Sequence, residues 1–131
     1  MGVLYKGGYK YQLQRDEFFK VDIFPKQNIE TDYFEIRTNG TLIARRGYAW
    51  DGASGIAIDT KDFMRGSLAH DILYQAIAEG FLEIKWRKQA DKELIKICKE
   101  DGMSAFRRWY VYAAVRIFGG NHLKIDKVKE S

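Results

Sequence analysis

His70, Asp71 and Tyr74 are the side chains whose types and spacing best suit proton-transfer chemistry. An imidazole exchanges a proton near neutral pH, and a carboxylate beside it can orient it or hold a cation. Residues four apart stack on one helical face, so His70 and Tyr74 are neighbours. Asp71 points about 100° further round, into an adjacent sector. Asp91 supplies the partner. His70 precedes Gly80 by about 15 Å of helix, and Asp91 lies roughly 10 Å into the next one. If these helices form an antiparallel hairpin around Gly80-Phe81-Leu82, His70 and Asp91 meet at one level. An acid facing an imidazole fixes its tautomer and raises its basicity, which is the geometry of a general base. Upstream runs Asp51-Gly52-Ala53-Ser54-Gly55, a glycine-punctuated loop.

The elements that must position these groups read as strands first, helices after. Tyr9 to Ile23 is rich in aromatic and β-branched residues. Phe34 to Ala44 continues that pattern around Asn39-Gly40, a strong hairpin signal. After Asp62 the period changes: Met64, Leu68, Ile72 and Ala76 define a helix that Gly80 stops. Asp59 or Thr60 suits its cap. A second helix is expected over about 85–100, with Trp86, Ala90, Leu94, Ile97 and Cys98 on one stripe and Asp101-Gly102 at its end. Ser104 caps a third, Ala105 to Phe118, which Gly119-Gly120 should stop. The fold class is therefore α+β: N-terminal antiparallel strands with a hairpin, then three helices, the first two an antiparallel hairpin. One domain is expected over 1–131, with a β-rich part at 1–60, a three-helix part at 61–119 and a polar tail at 120–131 that frays.

Composition narrows the function classes. At 46% hydrophobic and 15% aromatic, the 131 residues hold ample core, which excludes a disordered arm. No apolar run approaches the roughly 20 residues that span a bilayer. The first residues lack the apolar core of an export signal. The single Cys98 forms no internal disulfide, which suits a reducing compartment, and two His make a multi-His metal centre hard to build. Residues 1–60 balance eight basic against eight acidic residues, whereas 61–131 carry fourteen against ten. That mild excess favours an anionic contact, but specific nucleic-acid binding is not expected. There is no phosphate loop and no Gly-x-Ser-x-Gly elbow.

Two resemblances add to this. Trp50-Asp51-Gly52-Ala53-Ser54, Leu68-Ala69-His70-Asp71-Ile72-Leu73-Tyr74, Ala90-Asp91, Arg107-Arg108-Trp109 and Arg116-Ile117-Phe118-Gly119 together resemble an uncharacterised domain family of tailed phages and prophages. The resemblance spans roughly residues 30–119. It implies a phage-encoded protein made in the bacterial cytoplasm and carried in some cases into the virion. His-Asp-x-x-Tyr with a later Asp is also distantly similar to phospholipase A-two, above all its disulfide-free form in parvoviral capsids. That resemblance implies His70 as the base, Asp91 as its orienting acid and Tyr74 as a hydrogen-bond donor to Asp91. It also implies calcium held by Asp71 and by carbonyls around Gly52 and Gly55, with Asp51 as an extra carboxylate. Here the loop is Asp51-Gly52-Ala53-Ser54-Gly55 and not the aromatic-Gly-x-Gly of those enzymes, and a long β region precedes the site.

Three classes stand. One is a calcium-dependent lipid or ester hydrolase. Another is a non-catalytic phage particle component at tail or neck. The third is an accessory protein that binds and inhibits a host protein. A structural role competes for each motif. His70, Asp71 and Tyr74 could form a buried polar network, and Asp51-Gly52 a tight turn. Arg107, Arg108 and Arg116 read as a solvated face or, with Trp109, Tyr110 and Phe118, as a cationic aromatic patch for an anionic phospholipid surface or a protein partner.

Overall fold

A computed structural model describes residues 11–50 and 60–130, with 120–130 described by backbone alone. Six short strands precede three helices: β1 Tyr11–Gln12, β2 Glu17–Lys20, β3 Ile29–Glu30, β4 Phe34–Ile36, β5 Thr41–Ala44, β6 Ala49–Trp50, α1 Lys61–Ala78, α2 Arg87–Glu100 and α3 Ala105–Glu130. A single 3₁₀ turn, Ile84–Trp86, leads into α2. The class is α+β.

The strands form a four-stranded antiparallel sheet in the order β2-β5-β4-β3, with β1 and β6 paired beside it. The β4–β5 hairpin closes over Arg37 to Gly40, with Ile36 opposite Leu42. Alternation in β2 sends Phe19 inward and Phe18 to solvent. The inner sheet face, with Leu13, Val21, Phe34, Ile36 and Leu42, packs on Leu68, Ile72 and Ala76 of α1 in one core.

Helices α1 and α2 form the antiparallel hairpin. Thr60 is the N-cap of α1 through its backbone, since its hydroxyl bonds the Asp62 carboxylate instead. After α1, Gly80 takes a φ of 84°, Phe81 N–H donates to the Ala76 carbonyl (2.9 Å) and Gly80 N–H to that of Ile77 (3.1 Å). This is a Schellman ending, which favours glycine because a side chain is strained at positive φ. Gly102 and Met103 end α2 in the same way. Where the helices cross, a Cβ on Gly66 would lie 2.9 Å from Cys98 Sγ. The missing side chain lets α1 and α2 approach closely, and that contact sets the register of the hairpin one turn further on, at His70.

Buried Glu93 joins α2 to the sheet. Its Oε2 accepts from Asp22 N–H (3.0 Å) and Gln89 Nε2 (2.8 Å), and Lys96 Nζ lies 2.7 Å from Oε1. Cys98 is also buried, and burial pushes its thiol up to about 12.

One sequence expectation is overturned. Gly119-Gly120 does not stop the third helix: α3 continues to Glu130. Helix-interior glycines cost about 1 kcal/mol each relative to alanine, so a reason for tolerating Gly119 is expected. The site provides it.

Candidate functional site

Asp91 is wholly buried on α2, and three side chains from the other helices converge on it or its partners. His70 Nε2 lies 2.7 Å from Asp91 Oδ1, and Tyr74 Oη donates to the same oxygen at 2.6 Å. Arg116, on α3, donates from Nη1 to Oδ2 at 2.8 Å. The hairpin register explains the first two contacts. Positions 66, 70 and 74 descend α1 opposite 98, 91 and 87 on α2. At the last of these levels Arg87 Nε donates to Tyr74 Oη (3.1 Å). Arg87 Nη2 continues to the carbonyls of Val115 (3.0 Å) and Arg116 (2.8 Å), binding α3 into the same cluster.

Opposing effects set the charge of Asp91. Burial alone would raise its carboxyl. The bonds from His70, Tyr74 and Arg116 outweigh it and hold the group below its ordinary 3.8. Tyr74 moves the other way. Burial and the bond to Asp91 push its phenol above the usual range, so it stays protonated and donates. The His70 and Tyr74 rings stack with centroids 4.2 Å apart.

With Nε2 facing a carboxylate, a neutral His70 carries its proton there and leaves the Nδ1 lone pair bare. Nδ1 bonds no described residue. The His70 side chain as a whole is 10% exposed.

Gly119 belongs to this cluster. A Cβ there would sit 2.6 Å from Tyr74 Oη and 2.8 Å from the ring. The glycine leaves room for the phenol that donates to Asp91. Gly119→Ala should therefore destabilise the fold by about 1–3 kcal/mol through overpacking, despite the better helix propensity of alanine. A shift of the urea midpoint to lower concentration checks it.

Asp71 occupies the adjacent sector of α1 and is half-buried. Burial chiefly raises the Tyr48 phenol, and the nearby charges of Asp71 and Glu79 add to that rise. Trp50 Nε1 donates to Ser67 Oγ (3.2 Å), one turn before Asp71. The remaining residues assigned to a metal, Asp51, Gly52 and Gly55, lie outside the described residues. Among the described residues, no three of His, Cys, Asp and Glu are grouped to hold a metal ion.

Sequence reasoning missed Arg87 and misplaced two arginines. Arg116 is not a solvated face: it caps the buried Asp91. Arg107 reaches Asp62 (3.1 Å) and Thr60 (3.1 Å) at the start of α1. Nothing local in the sequence signals a pairing between helices.

A model of the family described as "Protein of unknown function (DUF1353)" matches residues 28–115, about two-thirds of the chain. The chain belongs to the DUF1353 family. The matched region takes in β3 to β6, both helices of the hairpin and the first half of α3, so His70, Tyr74, Arg87 and Asp91 all fall inside it. Arg116 and Gly119 lie just beyond. No curated protein and no solved structure matches the chain.

Proposed function

We propose that this DUF1353 protein hydrolyses carboxylic esters, with His70 as general base and Asp91 as the acid that orients it. The observation that carries this reading is the 2.7 Å contact of His70 Nε2 with a buried, ionised Asp91, which leaves Nδ1 for a water molecule. In the reaction Nδ1 takes a proton from that water as its oxygen attacks the ester carbonyl carbon. The ester C–O bond then breaks, and the imidazolium returns the proton to the leaving alkoxide. Asp91 stabilises the transient imidazolium without taking its proton. Arg116 and Tyr74 keep Asp91 fixed and charged.

The similarity of His70-Asp71-x-x-Tyr74 and Asp91 to disulfide-free phospholipase A-two supports lipid esters as the substrate class. The longer motif string supports a phage origin. When bound, a calcium ion would polarise the ester carbonyl. Only Asp71 of its assigned ligands is described, and the ion takes roughly six to eight oxygens. The catalytic reading therefore rests on the imidazole and not on the metal.

Burial favours a second reading. His70 is 8% exposed and Asp91 0%, and their cluster ties all three helices together, as a purely structural lock would. The purified protein, assayed on a dispersed phosphatidylglycerol ester with calcium and then with chelator, separates the two. Fatty-acid release supports hydrolysis, and calcium dependence supports the ion. No release in either condition leaves the lock.

A further inference from the structure

We propose that Arg87 is a positioning residue for the His70–Asp91 pair and acts on it through Tyr74. Arg87 is the first residue of α2. A cation is disfavoured there, because the helix dipole places positive potential at that end. The stability of α2 therefore does not account for it. Its hydrogen bonds go to uncharged oxygens: the Tyr74 phenol and the carbonyls of Val115 and Arg116.

Two of those bonds bear on donors to Asp91. Tyr74 Oη accepts from Arg87 Nε at 3.1 Å and donates to Asp91 Oδ1 at 2.6 Å. A hydroxyl that accepts from a cation is polarised toward donation, so the guanidinium strengthens the bond from the phenol to the carboxylate. Burial and Asp91 raise the phenol, and the bond from Arg87 opposes that rise. The second bond, to the Arg116 carbonyl at 2.8 Å, holds the backbone of the residue whose side chain donates to Oδ2. One guanidinium thus acts on both oxygens of Asp91, and Oδ1 is the one that faces His70 Nε2. If Arg87 served only to tie α2 to α3 through the carbonyls, the Tyr74 hydroxyl would be irrelevant to its effect.

The test is a double-mutant cycle. Arg87→Met keeps much of the aliphatic stem and removes every donor, and Tyr74→Phe removes only the hydroxyl. The kinetic arm rests on the hydrolytic reading of the site. There Arg87→Met should lower kcat roughly tenfold, with KM within about twofold of wild type. In the Tyr74→Phe background the same change should lower kcat by less than about twofold, since the link to Asp91 is already cut. A second arm needs no turnover: the ¹H resonance of the His70 Nε2 proton in the full chain. It should shift on Arg87→Met when Tyr74 is present and stay in place in the Tyr74→Phe background. Equal effects of Arg87→Met with and without the hydroxyl, in rate or in resonance, overturn the proposal and leave Arg87 a tie between helices. Should Arg87→Met not fold, Arg87→Gln takes its place in the cycle under the same criterion. A wild-type chain that hydrolyses no ester contradicts the hydrolytic reading alone, and the resonance then decides the role of Arg87.

Discussion

His70→Ala is expected to lower ester hydrolysis by roughly 10²- to 10⁴-fold, the usual contribution of a positioned general base. The fold should survive. Asp91 keeps Tyr74 and Arg116 as partners when the imidazole is lost, so the buried carboxylate is not stranded. Far-UV circular dichroism and urea unfolding of the variant check that the lost rate is not lost structure. If His70 serves only as a lock, the ordering reverses: a severe loss of stability and no rate to lose.

Asp91→Ala carries the largest expected stability effect. It strands Arg116 and His70 around an empty site, and breaking a buried pair from one side costs about 3–5 kcal/mol. Whole domains are stable by only about 5–15 kcal/mol, so much of the chain would be unfolded at 37 °C. Asp91→Asn separates charge from shape. The amide oxygen can still accept from Tyr74, so stability should fall less. The imidazole loses the negative charge that stabilises its protonated form, so the rate should fall nonetheless.

The pH dependence follows from the depressed carboxyl of Asp91. A group held below its ordinary 3.8 in the folded chain stabilises the fold fully above that value. It loses that contribution as pH falls through the lower folded value. Wild type and Asp91→Asn should therefore differ most in urea midpoint near neutrality. The gap should close below about pH 4.

Much of this arrangement was legible in local pattern. The four-residue period of α1, the glycines at 80 and 102 and the hairpin around Asn39-Gly40 are short-range signals, and each marks the element it suggests. The meeting of His70 with Asp91 followed from counting rise along two antiparallel helices. What escaped depends on contacts between helices. Gly119 read as a stop because glycine commonly ends helices. Its actual constraint is the Tyr74 ring from another helix, which no neighbouring residue announces. Arg116 read as surface because arginines usually are. Its partner sits twenty-five positions away. Glu93 was passed over because a single acid on an amphipathic helix gives no sign that the chain at Asp22 will cover it.

The most direct test of the His70–Asp91 account is ¹⁵N NMR of the imidazole at about pH 8, above the ordinary histidine range. General-base catalysis by His70 requires the proton on Nε2, donated to Asp91, and a bare Nδ1. A ring with its proton on Nδ1 would contradict it, because that nitrogen would have no lone pair with which to activate water.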